Sequence, residues 1–350
     1  MEISESHLFQ KYKPNYVSAF IDFSIHSIHF VAALYAVWFL KTSWLSAMSV
    51  PFLGLMLNRT YVVFHDCGHD SYSPSKTANL VVGTICGIAT FTSTNWILDH
   101  RIHHATNGNI DNKYHFKFNE LLYYTANQYK KFNWGQKCTF TFFHNPAVFF
   151  TVFPLLYFGV IQRFIYFAKK LRYGEKMGGS ILSISANHAI NNMGVIGLLY
   201  FTHLFGILPH YLVAAYIGSV IDFFLFFNQH TYNPCYVVRD AEWKQRESGL
   251  SGSSFIQIPE RLKYFTMGIE YHHIHHMNSR IPGYNLREFH EEVERNDKTM
   301  FANVVKLDMT DCYNNLWLTM YDEDKGKYVT RQEVDNDLSG NNKISTDKQE

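Results

Sequence analysis

The sequence predicts an all-α integral membrane protein: about four transmembrane helices, in-plane or re-entrant segments between them, and a helical cap on the cytosolic side. Three observations carry this expectation. Charged residues make up only 17% of the 350-residue chain and aromatic residues another 17%, a balance that suits a bilayer better than water. Several apolar runs reach the roughly 20 residues that a helix needs to span hydrocarbon. The 19 histidines are bunched, and the bunches fall beside the apolar runs.

Taken in order, the N-terminal MEISESHLFQKYKP is polar and lacks the charged-then-apolar pattern of a removable signal. Transmembrane helices are expected near 17–40 and 44–64, separated by KTS, and near 184–205 and 211–227, joined by a turn around Pro209. Lys113, Lys117, Lys130, Lys131 and Lys137, the stretch from Lys169 to Lys176 and the tail beyond Lys244 concentrate positive charge, whereas the two short turns carry almost none. The positive-inside rule therefore puts those turns outside and the long middle and tail in the cytosol. If the histidine bunches are to meet, an even number of crossings must separate them. The run Pro146 to Phe167, with Pro154 inside it and Gln162 and Arg163 near its end, is accordingly expected to lie in the interface. The run 80–91 is expected to be in-plane or re-entrant. The chain reads as one domain, 1–335, with a cap formed by 65–180 and 230–335 and a disordered tail over 336–350.

A net charge of +1 gives no electrostatic footprint for nucleic acid. Cys67, Cys86, Cys138, Cys235 and Cys312 are odd in number and contain no C-x-x-C pair, so they read as free thiols on a reducing side.

The histidines carry the chemistry. HDCGH places His65 and His69 at i, i+4, HRIHH places His100, His103 and His104 at i, i+3, i+4, NQH ends in His230, and YHHIHH holds His272, His273, His275 and His276. Residues three and four apart share a helix face, so each spacing can aim its rings at one point. A tetrahedral zinc takes at most four protein ligands, so this many imidazoles implies two metal ions, and redox-active iron is the natural candidate. His26 and His29, three apart in the first helix, and the isolated His7, His115, His144, His188, His203, His210 and His290 read as packing or hydrogen-bonded residues.

HDCGHDSYS, HRIHHATNGNID and YHHIHHMNSRIPGYNL, in this order and spacing, resemble the three histidine boxes of membrane fatty acid desaturases, and QHTYNPCYVVRDAEW and SGSSFIQIP extend the likeness. The flavour is nearest to delta-12-type acyl-lipid desaturases. The resemblance implies a non-haem di-iron centre at the cytosolic mouth of the bundle. It also implies O2 as co-substrate, an acyl-lipid or other acyl-carrier substrate, and a separate electron donor, ferredoxin or cytochrome b5 with its reductase. The host membrane would be the inner membrane of a bacterium or the endoplasmic reticulum of a eukaryote. The ligands carried over are His65, His69, His100, His103, His104, His230, His272, His275 and His276. Acyl-CoA desaturases have a water-holding asparagine four residues before the late histidine, where this chain has Phe226. An acyl hydroxylase or carotenoid oxygenase on the same scaffold, and more distantly a metal transporter, are the competing readings.

Two finer expectations follow. Helix geometry alone cannot choose between His272, His275, His276 and His272, His273, His276. HRIHH repeats the first spacing with arginine in the spare place, which leaves His273 as the dispensable member, supporting the ligands or lying at the surface. Asp222, an ionisable residue inside a membrane helix, is expected to orient a ligand histidine.

Overall fold

The structure, a computed structural model, describes residues 5–111, 124–173 and 178–346; Lys113, His115, Lys117 and Lys176 lie outside them. Asn15 opens the first long helix, Tyr16–Leu40, by accepting a hydrogen bond from the Ser18 amide, which satisfies one of the donors every helix start leaves free. Phe20, Ile28, Val31 and Phe39 form an exposed apolar stripe suited to lipid, while Ala19, Ala33 and Val37 turn inward. The second helix, Ser46–Gly68, is the buried axis of the bundle and packs against Tyr16–Leu40, Lys76–Ala89 and Leu208–His230. Glycines bring it against Leu208–His230. A Cβ on Gly54 would stand 2.8 Å from Ile217 Cγ2 and 3.0 Å from the Ala214 carbonyl, and one on Gly218 would stand 3.0 Å from the Gly54 carbonyl. Small residues allow this close approach between helices in lipid, where apolar surface alone gives little drive to associate.

Among the described residues, four helices are long and apolar enough to cross a membrane: Tyr16–Leu40, Ser46–Gly68, Pro146–Arg172 and Leu208–His230. The two short turns expected on one side adjoin, since Lys41 Nζ donates to the Phe205 carbonyl at 2.6 Å and His210 Nε2 lies 3.1 Å from the Lys41 carbonyl. Lys76–Ala89 has 14 residues, about 21 Å of helix, short of the roughly 30 Å of a hydrocarbon core.

Two helices depart from expectation in character. Ile181–Leu204 forms over the third expected transmembrane segment, but it carries Asn187, Asn191 and Asn192 and is not among the four. Pro146–Arg172, expected to lie in the interface, is an uninterrupted 27-residue rod with a spanning composition. Pro154 does not end it, and a π-turn follows at Tyr157–Ile161. Both ends of this rod meet residues near histidines. Phe149 packs on Phe227 at 5.7 Å, and Lys169 forms a buried ion pair with Asp99. Midway, Phe158 packs on Phe223 at 5.8 Å, and Arg163 bonds to Asn191, Asn192 and the Phe91 carbonyl.

In the cap, Gln245–Ser251, His272–Met277 and Gly283–Asn296 enclose Leu250, Ile274, Leu286, Phe289 and Val293. The N-terminal helix Glu5–Lys11 closes over them, with Phe9 stacked on Phe289 at 5.4 Å. Two small sheets, Phe255–Ile256 with Lys306–Leu307 and the hairpin Leu318–Asp322 with Lys327–Thr330, add strand to the expected all-helical cap. A helix, Arg331–Thr346, starts inside the domain expected to end at 335 and runs on into the segment expected to be disordered. Thr330 and Glu333 cap it reciprocally and Val334 buries beside Met320 and Val329.

Because the Gly54 contact leaves no room for a branched side chain, Gly54→Val should destabilise the bundle by about 1–3 kcal/mol. The expected readout is a lower thermal midpoint of the detergent-solubilised protein, and an unchanged midpoint would contradict the packing described.

Candidate metal centre

Two of the long helices end in the site. His65 occupies the last turn of Ser46–Gly68, His69 is its C-cap, and His230 is the final residue of Leu208–His230. Asp70 then turns the chain away with a left-handed φ of 57°, a conformation Asp tolerates better than most residues. His100, His103 and His104 lie on the short helix Trp96–Thr106, and His272, His275 and His276 on the single-turn helix His272–Met277.

These nine side chains form two groups. His65, His69, His100, His104 and His275 make one, and His103, His230, His272 and His276 make the other; within each, one ring nitrogen per residue lies within 4.8 Å of all the rest. The i, i+4 members of the middle box, His100 and His104, face the first group and His103 faces the second. In the third box the division is reversed, with His272 and His276 in the second group and His275 in the first.

The Nε2 atoms of His65 and His100, His100 and His104, and His104 and His275 are each 3.0 Å apart. In the second group His103 and His230 are at 3.0 Å, His230 and His272 at 2.9 Å, and His272 and His276 at 3.1 Å. A first-row metal takes imidazole nitrogen at about 2.0–2.1 Å, so nitrogens on adjacent corners of such a shell stand about 3 Å apart. The His69 Nε2 is buried with no hydrogen-bond partner. Burial first, and neighbouring imidazoles second, hold His69, His100, His104, His272, His275 and His276 well below the ordinary histidine range. Neutral rings converging in this way present lone pairs that a cation can take up, and the donor set fits two metal ions.

Surrounding groups fix the rings. Asp66 Oδ1 lies 3.1 Å from His65 Nδ1, and its other oxygen accepts from the Gly283 amide at 2.6 Å, which ties the first box to the chain after the third. His230 Nδ1 faces the Gly252 carbonyl at 3.1 Å, and Trp96 stacks on His100 with centroids 4.1 Å apart. The Lys169–Asp99 pair anchors the helix that carries the middle box. Sequence reasoning passed over Asp66, although a carboxylate orienting a ligand histidine is a recurrent arrangement and this one stands between two box histidines. Phe226, at the position of the acyl-CoA enzymes' asparagine, packs on both His103 and His230 at 5.2 Å.

Two expectations meet a different geometry. His273 is neither exposed nor in contact with the groups. It is fully buried against Phe301 and His290, at 4.8 and 5.3 Å. Among the described residues Asp222 makes no hydrogen bond or ion pair, to a histidine or otherwise. Of the residues read as packing or structural, His26 meets Thr60 Oγ1 at 3.1 Å and His29 meets the Tyr264 hydroxyl at 2.7 Å.

Asp222 instead lines a mostly apolar cavity. Its wall includes Tyr61, Trp96, Phe158, Phe223, Phe226 and Ile269, and it reaches His65 and His100 of the first group and His272 of the second. An elongated apolar substrate lying there would pass both groups.

Comparison with known proteins agrees with this architecture. The family model for fatty acid desaturases matches residues 42–304. A fatty acid desaturase of Bacillus subtilis is 28% identical over 85% of this chain and 82% of its own length. An sn-1 oleoyl-lipid 12-desaturase of Synechocystis is 24% identical over 80% of this chain and 76% of its own, and an sn-1 acyl-lipid omega-3 desaturase (ferredoxin) of Nostoc is 27% identical over 81% and 77%. With the match covering most of the chain and the histidines it contains, the protein belongs to the fatty acid desaturase family of membrane oxidoreductases.

Proposed function

We propose that this protein introduces a double bond into the acyl chain of a membrane lipid, with O2 as co-substrate and electrons from a separate donor, at two iron ions held by the nine histidines. The observation that carries the reading is the apolar cavity running past members of both histidine groups. His65, His69, His100, His104 and His275 would hold one ion and His103, His230, His272 and His276 the other. The chemistry iron supplies when bound is the reduction of O2 to two waters, with two electrons and two protons from outside and two hydrogens taken from neighbouring methylenes.

The chain's own residues do the rest. Trp96, Phe158, Phe223 and Phe226 keep the cavity dry, which protects a strong oxidant from side reactions, and their shape decides which methylenes approach. No acid, base or nucleophile is required on the protein. The donor is a ferredoxin or a cytochrome b5; the name of the Nostoc relative supports the former. The histidine side, where the lysines and arginines gather, faces the cytosol.

Expression in a host with a simple lipid profile, followed by gas chromatography and mass spectrometry, should reveal a new unsaturated fatty acid. A hydroxylated product would move the reading to a hydroxylase, and an unchanged profile beside iron-loaded protein would overturn it. His275→Ala should strip at least one iron from the purified protein, whereas His273→Ala, outside both groups, should keep two; metal analysis decides. Asp66→Asn should weaken iron retention about 10–100-fold, measured by competition with a chelator, and wild-type retention would deny Asp66 its part in holding His65.

A further inference from the structure

We propose that Asp222 sets how far an acyl chain can reach past the histidines, and so helps to determine which chain lengths and which methylene pair react. This rests on the desaturase reading above. The carboxyl lies on the cavity wall, on the same face of Leu208–His230 as Phe226 and Gln229 at i+4 and i+7. Gln229 is committed elsewhere, its Nε2 donating to the Ile269 carbonyl at 2.8 Å. Asp222 makes no hydrogen bond or ion pair among the described residues.

Its height in the fold gives this meaning. Eight residues separate Asp222 from His230, about 12 Å along a helix. The His230 end adjoins the cap, whereas the Leu208 end adjoins the far turn at Lys41, so Asp222 lies deeper in the bilayer than the histidines. A membrane lipid keeps its carboxyl end at the interface and its methyl end toward the midplane. The part of the chain between the reacting carbons and the methyl terminus is therefore the part that approaches Asp222. A carboxyl that loses water and gains only methylenes in exchange is costly to cover, so the apolar chain stops short of it. At roughly 1.2 Å of advance per bond, the free run corresponds to roughly ten carbons beyond the metal groups.

The test compares wild type with Asp222→Leu, Asp222→Ala and Asp222→Asn, expressed in a host offering several chain lengths, with products resolved by length and double-bond position and iron measured on each purified protein. Removing the polar barrier should raise the ratio of longer to shorter desaturated chains about five-fold or more, or displace the double bond toward the carboxyl end, in at least one apolar variant. Asparagine, which also needs hydrogen-bond partners, should keep the wild-type selectivity, with iron retained throughout. Unaltered ratio and bond position in both apolar variants, or loss of product in both with iron retained, would overturn the proposal. Loss of iron in all three variants would also overturn it and make Asp222 a support for the histidines. A wild-type protein giving no unsaturated product would defeat the desaturase reading itself, and this inference with it.

Discussion

The convergence of uncharged ring nitrogens to about 3 Å is the constraint on which the remainder of the fold depends. Nitrogens this close need a proton or a cation between them, and they hold that spacing only if every ring is fixed from behind. No single segment can do this. Ser46–Gly68 and Leu208–His230 each end in the cluster, and their relative height is locked by the Gly54–Gly218 contact some turns away. The two short helices that complete the set have no comparable length of their own. They are held by side chains: Lys169 on Asp99 for one, and Asp66 on the Gly283 amide just past the other.

A second requirement follows from burying polar atoms at this depth, where an unpaired group costs much more than at a wet surface. Arg59, one and a half turns before His65, is buried and pairs with Asp22, while Tyr72 donates to the other oxygen of Asp22 at 2.8 Å. The same arginine donates to the Tyr264 carbonyl and lies 4.3 Å over the Tyr264 ring. The first helix, the central helix and the chain leading to the third box are thereby joined by one charged group. Asn95 and Asn187 serve similarly behind the middle box, the first donating to the Ile184 carbonyl at 2.9 Å and accepting from the second at 3.0 Å. These polar contacts are positional: each links the apolar bundle to a segment that carries histidines.

How much of this was legible in the sequence depended on whether a feature is local. The box spacings are local, and together with the resemblance to the desaturase boxes, which supplied His230, they pointed to nine residues that do come together. The division of those nine into five and four is not local, since it depends on how two short helices are rotated against the ends of two long ones. His273 shows the same limit. Its dispensability could be argued by analogy with HRIHH, but its burial against Phe301 and His290 comes from chain many residues away. Asp66 was overlooked because its role depends on Gly283, more than two hundred positions on.

Helix Pro146–Arg172 shows why composition and connectivity must be weighed together. By length and apolarity it is a spanning helix, yet the chain must return to the histidines between His104 and His230. Leu208–His230 rises to the site from the turn that also holds Phe205, and Ile181–Leu204 descends to that same turn. On the topology expected from the sequence those two make one descent and one return, and a third crossing would leave the middle box on the wrong side. The contacts obey this count. Phe149, near the start of the rod, packs on Phe227 three residues before His230, and Lys169, near its end, pairs with Asp99 beside His100. With both ends held beside histidine-bearing segments, this helix packs along the bundle. In that position its middle, the π-turn with Tyr157 and Phe158, forms a wall of the cavity. Its outer face is apolar, with Leu155 and Val160 exposed. The apolarity that suggests a crossing is also what a helix needs to lie between a bilayer and the cavity beside the histidines.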